Sequence, residues 1–166
     1  TNEVYGLAIS PDDTRLYTMG RPSGLIFTLY VMDTKTLTNI HSFPISSSSW
    51  TTIIVSLDGR RAYLGSGHGN AIEVIDTASG GRIKSIPVSS GNNGNCGFAL
   101  NADGTRLYAT PPVSLLAGKV VVIDTVRLEV IDTLYSPSDR LYTVALSPDE
   151  TRLAVCVRDK GLTIIA

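Results

Sequence analysis

The chain has 166 residues, 43% of them hydrophobic and 17% charged, which is enough apolar material to bury a core. Its 14 Lys and Arg nearly cancel its 15 Asp and Glu, and this balance disfavours a nucleic-acid partner. No apolar run approaches the roughly 18 residues of a membrane-spanning helix, so no membrane span is expected. The sequence opens at Thr1 without a basic and apolar leader, which predicts either a removed signal peptide or excision from a longer chain.

The main feature of the sequence is a repeat. A nine-residue pattern that begins Ile-Ser-Pro-Asp at Ile9 recurs every 45 or 46 residues. Its turn aspartates are Asp12, Asp58, Asp103 and Asp149. A second pattern, Val-Ile-Asp-Thr or a close variant, follows in the first three repeats and ends at Thr34, Thr77 and Thr125. Two patterns in a fixed order make coincidence a poor explanation.

Each repeat predicts four short strands, because segments rich in Val, Ile, Leu, Thr and Tyr alternate with Gly, Asp, Asn, Pro and Ser. In the first repeat the strands are expected near 5–10, 15–19, 26–32 and 37–43, and equivalent segments follow in the next two repeats. Pro-Asp-Asp and Asp-Gly sequences predict a tight hairpin between the first two strands. An arginine three residues after each turn aspartate is expected to pair with it across the hairpin; the four are Arg15, Arg61, Arg106 and Arg152.

A repeat of 40 to 50 residues with four antiparallel strands is typical of a propeller blade. We therefore predict an all-β fold, a β-propeller of about four blades with the last incomplete, as part of a larger propeller. The single segment 1–166 divides into repeats at approximately 4–49, 50–94, 95–140 and 141–166. A β-sandwich would not explain the period. Two alternatives stay open, namely a half-ring completed by a second chain, as in a homodimer, and a compact four-bladed ring.

The pairing of Ser-Pro-Asp-x-x-Arg-Leu-Tyr at Ser10 with Val-Ile-Asp-Thr at Val74 resembles the YVTN-type β-propeller repeat family. The resemblance covers essentially the whole chain. It implies an extracellular, periplasmic or cell-surface location. Related propellers include lactonase-like enzymes and amine-dehydrogenase subunits, but no catalytic motif of theirs is recognisable here, so those activities do not transfer.

The repeat distinguishes the two faces of a propeller by their sequences. Uniform turns follow the first and third strands, whereas the segments after the second and fourth strands differ in every repeat, as at 20–24, 66–70, 111–118, 44–49, 89–95 and 136–140. Variable loops on a constant frame favour binding, although they could also be unconstrained surface. The ligand-face candidates are Trp50, His68, Asn70, Asn95, Asp139 and Arg140.

Four residues near the start of the innermost strands are candidates to line, or simply to fill, the central channel: Tyr5, Thr51, Cys96 and Tyr142. Neither a metal site nor a cofactor is indicated, because the two histidines lie apart and Cys96 and Cys156 have no metal-binding spacing. The cysteines are expected to be unpaired, with a disulfide as the alternative. No catalytic residue can be named.

We therefore hypothesise a non-catalytic binding or scaffold module that contacts a protein or a carbohydrate through the variable loop face. One alternative is a lactonase-like or dehydrogenase-subunit-like enzyme domain, which predicts polar side chains converging on the channel. The other is a structural surface-layer or assembly component, which predicts self-association through open edges.

Overall fold

The computed structural model describes residues 3–22, 26–45, 50–66, 70–88, 96–111, 118–135, 141–157 and 161–165, with backbone alone at residues 3, 50, 51 and 135. The described part is entirely strand and turn, and no helix in it is long and apolar enough to cross a membrane.

The strands form four separate antiparallel sheets, which we call blades 1 to 4. Blade 1 contains β1 (Glu3–Ile9), β2 (Arg15–Arg21), β3 (Thr28–Asp33) and β4 (Asn39–Pro44). Blade 2 contains β5 (Trp50–Val55), β6 (Arg61–Ser66), β7 (Ala71–Asp76) and β8 (Arg82–Pro87). Blade 3 contains β9 (Gly97–Leu100), β10 (Arg106–Thr110), β11 (Lys119–Asp124) and β12 (Glu129–Tyr135). In blade 4 the described strands are β13 (Leu141–Leu146), β14 (Leu153–Val157) and β15 (Gly161–Ile165).

Strand order within each blade follows chain order, so every connection inside a blade is a hairpin. In blade 2 the second strand, β6, is buried on both faces along the run Ala62 to Ser66, because it has a strand on each side and a blade on each face. The fourth strands β4 and β8 are mostly exposed. The blades therefore have a buried inner part and a solvated outer edge, as propeller blades do.

Three hydrophobic clusters join the blades in order. Cluster 1 lies between blades 1 and 2 around Met19, Leu29 and Leu64; cluster 2 lies between blades 2 and 3; cluster 3 lies between blades 3 and 4 around Val120 and Val144. Among the described residues no cluster joins blade 4 back to blade 1. The predicted fold class is confirmed as an incomplete propeller, and the compact four-bladed ring is wrong.

The strand predictions of the first repeat hold to within a few residues. The fourth strand begins at Asn39 rather than at Leu37, because Leu37 has φ of 54° and its N–H closes the preceding turn by donating to the Asp33 carbonyl at 2.9 Å. The third strand likewise begins at Thr28 rather than at Ile26.

Candidate functional site

One carboxylate holds the hairpin turn between the first two strands of blade 1. The Ser10 hydroxyl donates to Asp12 Oδ1 at 2.5 Å, and the Thr14 backbone N–H donates to the same oxygen at 3.1 Å. Arg15 N–H in turn donates to Ser10 Oγ at 2.9 Å. These hydrogen bonds, that of the Ser10 hydroxyl above all, lower the pKa of Asp12. The same serine and aspartate pair recurs at Ser56 and Asp58 and at Ser147 and Asp149.

The second sequence pattern is tied to this turn by its threonine. Thr77 Oγ1 donates to the Gly59 carbonyl at 2.7 Å, and the Thr77 N–H donates to the Arg60 carbonyl at 3.0 Å. Thr34 and Thr125 make the equivalent pairs of bonds in blades 1 and 3. Two segments that are distant in the repeat therefore form one unit at this face of the blade, which we call the turn face.

The recurring arginines do not pair with the turn aspartates. Within the described ranges the ion pairs are Arg82 with Glu73 at 3.8 Å and Arg127 with Glu129 at 4.0 Å. The turn aspartates are occupied by hydroxyl and backbone donors instead, which leaves the arginine free to extend along the blade. Arg61 Nη1 donates to the Thr125 carbonyl of the next blade at 2.7 Å. The predicted cross-hairpin pairing is therefore wrong.

The turn face carries a groove at each seam between blades, with volumes of about 390 Å³, 310 Å³ and 380 Å³ for seams 1–2, 2–3 and 3–4. Each seam groove is lined on one side by an arginine and a tyrosine of the second strand, and on the other by the hairpin turn of the following blade. The arginine and tyrosine pairs are Arg15 and Tyr17, Arg61 and Tyr63, and Arg106 and Tyr108.

The seam grooves are lined by both hydrogen-bond donor and acceptor side chains. The first holds the side chains of Arg15 and His41 together with Asp12 and Asp58. Burial raises the pKa of Tyr63 at the second groove, so its hydroxyl stays protonated and can donate a hydrogen bond. Sequence reasoning missed the seam grooves, although the tyrosine that recurs two residues after the arginine was their visible signal.

The predicted ligand-face residues are only partly described. Asn70 is exposed just before β7, and its carbonyl accepts a hydrogen bond from Val88 N–H at 2.9 Å. Trp50 begins β5, where its backbone alone is described. His68, Asn95, Asp139 and Arg140 lie outside the described residues. That these six residues form one surface stays a prediction.

The channel candidates differ in environment despite their equivalent sequence positions. The Tyr5 ring lies 5.5 Å from the Phe27 ring, centroid to centroid, at the edge of cluster 1. Cys96 is buried, and a Cβ added at Gly65 of the preceding blade would lie 2.8 Å from its sulfur. Tyr142 is 40% exposed on β13, and Thr51 is described by its backbone in β5. Cys96 therefore fills a seam.

Both cysteines are free thiols, Cys96 buried and Cys156 half-buried. Burial raises the pKa of Cys96 to about 12, which keeps that thiol protonated and unreactive. In the described part of the chain, no three His, Cys, Asp or Glu side chains are grouped as they would be around a metal ion.

No protein-family model and no curated protein matches the sequence. Among solved structures, the fold is similar to that of hydrazine synthase from Kuenenia stuttgartiensis, with a TM-score of 0.81 and 23% sequence identity. The match covers 97% of this chain and 45% of the other, so the chain spans less than half the length of that protein. At this identity the likeness shows the β-propeller fold alone.

Proposed function

We propose that the chain is a non-catalytic binding scaffold that contacts a protein or a carbohydrate through its variable loop face. The observation that supports this most directly is a difference between the two faces of the blades, of which one is structural and constant and the other is variable in sequence. On the turn face, the aspartate and threonine side chains are occupied by bonds that hold the frame together. The segments between second and third strands, and those between blades, share no such pattern.

A frame of this kind can display unrelated loops at fixed spacing. The blade interiors are hydrogen-bonded sheets and the seams are hydrophobic clusters, so loop sequences can change without loss of the core. This is the usual physical basis for binding by repeat proteins.

The proposal includes kinship with YVTN-type propellers and a place outside the cytoplasm, at the cell surface, in the periplasm or secreted. The two sequence patterns support the kinship, because their residues make the turn and the threonine tie in three successive blades. Cell fractionation of the native source would test the location.

The experiment replaces loop residues 67–69, 91–95 or 112–117 by glycine and serine of equal length. Binding is measured to chitin, to peptidoglycan and to a displayed peptide library. We expect one probe class to be retained by the unaltered chain and lost, by about tenfold or more in affinity, in at least one loop variant. Lys35→Gln, an exposed position of the turn face that lines none of the seam grooves, is the control.

Two results would contradict the proposal. Binding that survives all three loop replacements but is lost in Arg15→Ala would assign recognition to the seam grooves. Turnover of a lactone by the purified chain would make it an enzyme.

A further inference from the structure

A small pocket lies between blades 1 and 2 and shares no lining residue with the seam groove of the same two blades. Its volume is about 250 Å³, and we call it the Glu73 pocket. Pockets for drug-sized ligands are commonly about 300 to 1,000 Å³, so this one suits a single side chain or a short alkyl chain. Its apolar wall belongs to cluster 1 and consists of Ile45, Leu64 and Ile75; the other lining residues are Pro44, Glu73, Gly80 and Arg82.

Glu73 is an unusual residue for its place in the blade. It lies on β7 next to the valine that pairs with Tyr63, and the equivalent residue of blade 3 is Val121. Val121 is 1% exposed and belongs to cluster 2. Blade 2 thus has a carboxylate at a position where blade 3 buries an apolar side chain. Departures from the local packing rule of this kind are expected at functional sites.

The two oxygens of the Glu73 carboxylate differ in their partners. Oε1 accepts a hydrogen bond from the Ser85 hydroxyl at 2.8 Å. Oε2 is buried and, in the part of the chain that the structure describes, has no hydrogen-bond partner. Arg82 Nε lies 3.8 Å from Oε2, beyond hydrogen-bonding distance, and the Arg82 side chain is 64% exposed. A loose ion pair of this kind contributes little, so Oε2 is left available to a better cationic donor.

We propose that the Glu73 pocket binds a primary alkylammonium group, with the charged head at Oε2 and the alkyl stem against the apolar wall. The head is an ammonium rather than a guanidinium, because Ser85 already occupies Oε1 and a guanidinium binds both oxygens of a carboxylate at once. Arg82 competes for the same oxygen and turns outward when the ligand enters. A lysine side chain of a partner polypeptide and a free aliphatic amine both carry this chemistry.

The test is a titration of the full chain with n-butylammonium, followed by the NMR resonances of the leucine and isoleucine methyl groups. Those of the apolar wall should shift on binding. Glu73→Gln removes the charge and keeps the shape, so it should weaken binding by about tenfold or more. Glu129→Gln is the matched control, because Glu129 forms an equally loose pair with Arg127 but is 54% exposed and lies outside the pocket. Far-UV circular dichroism verifies that each variant folds.

A second variant tests the competition by Arg82. Arg82→Gln removes the competing charge and should tighten the binding of n-butylammonium by about two- to fivefold. A residue that merely supports the pocket would not give this gain, because its loss weakens binding or leaves it unchanged.

Further probes identify the source of the ammonium group. A Gly-Lys-Gly peptide that binds more tightly than n-butylammonium would assign the pocket to a partner polypeptide, and the reverse order would assign it to a free amine. 1-Butanol has the stem without the charge, and a Gly-Arg-Gly peptide has a guanidinium head. Both should bind about tenfold more weakly than the ammonium probes.

Three outcomes would overturn the proposal. Wall resonances that stay unshifted at millimolar n-butylammonium would show that the pocket takes no amine. Equal weakening in Glu73→Gln and Glu129→Gln would mean unspecific attraction of a cation to carboxylates. Weaker binding in Arg82→Gln would make Arg82 part of the site rather than its competitor. None of these outcomes bears on the loop face, because loop residues 67–69, 91–95 and 112–117 stay unaltered throughout.

Discussion

At the scale of the residue, two positions in each of blades 1 to 3, and the first of them in blade 4, have a left-handed backbone. The hairpin position has φ of 57° at Asp13, 70° at Gly59, 72° at Gly104 and 58° at Glu150. The turn after the third strand requires it at Leu37, Gly80 and Leu128. Glycine adopts this conformation without steric cost, whereas leucine is strained by about 1–2 kcal/mol. At Gly80 the Phe43 ring also occupies the space of any Cβ, so only glycine fits.

This strain predicts opposite effects of one substitution at two sites. Leu37 is 62% exposed, so Leu37→Gly should raise the free energy of unfolding by about 1 kcal/mol through relief of the backbone strain. Leu128 is buried in cluster 2, so Leu128→Gly should lower the free energy of unfolding by about 2 kcal/mol. The lost hydrophobic burial there exceeds the gain from relief of backbone strain. Urea unfolding of both variants measures the difference. Two changes of the same sign would refute the strain argument.

At the scale of the element, the blade hairpin explains why the two sequence patterns occur together. The turn aspartate closes the first hairpin, and the threonine of the Asp-Thr pair ties the next turn to it. Neither pattern would fold the turn face alone, because carbonyls such as that of Gly59 would lose their donor. The period in the sequence is therefore the period of a hydrogen-bonded unit.

The turn carboxylates predict a loss of stability in acid. Hydrogen bonds lower the folded-state pKa of Asp12, Asp33, Asp58, Asp76, Asp103, Asp124 and Asp149 below the ordinary 3.8. A lowered pKa stabilises the fold above the unfolded value and ceases to do so as pH falls through the folded one. The free energy of unfolding should thus be flat from about pH 7 to about pH 5 and decline below about pH 4.

The Ser56 hydroxyl is the largest cause of the lowered pKa of Asp58, so Ser56→Ala should make the acid decline shallower. Ser42→Ala is the control, because that hydroxyl bonds to the Asn39 amide rather than to a carboxylate. Urea melts across the pH range give both slopes. If Ser56→Ala left the slope of the free energy of unfolding against pH unchanged, the turn carboxylates would not be the cause of the acid decline.

At the scale of the whole molecule, the seams depend on close approach of the innermost strands. A Cβ at Gly97 of β9 would collide with the Thr143 backbone of β13, so blades 3 and 4 can meet at this distance only because the position is glycine. The Thr143 backbone cannot move aside as a flexible side chain could. The close packing of blades 3 and 4 therefore depends on the absence of a side chain at Gly97 as well as on cluster 3.

Gly97→Ala should destabilise the fold by about 2 kcal/mol or more, because it forces blades 3 and 4 apart along the innermost strands. Gly81→Ala is the matched control, since the nearest atom to a Cβ there is the Ser79 hydroxyl at 3.2 Å. Thermal and urea unfolding would show the contrast. Equal effects at both glycines would mean that the seam can widen without cost.

The partners of the recurring arginines could not be predicted from the sequence. Spacing predicted that Arg61 pairs with Asp58, but Asp58 accepts from the Ser56 hydroxyl and Arg61 donates to the Thr125 carbonyl. Ser56 and backbone N–H groups reach the carboxylate at lower entropic cost than a long side chain does. The seam grooves were missed for a related reason, because their walls come from two blades and no local spacing reports on that packing.

The sequence by itself determined the strands, their hairpin order and the blade as the repeating unit, because these depend on local alternation, turn residues and a constant period. Tertiary structure alone decided which faces meet. Leu29 and Leu162 occupy the same position in their blades, yet one is fully buried and the other 64% exposed. Burial depends on whether a neighbouring blade is present, and that is a property of the assembly of blades rather than of any one repeat.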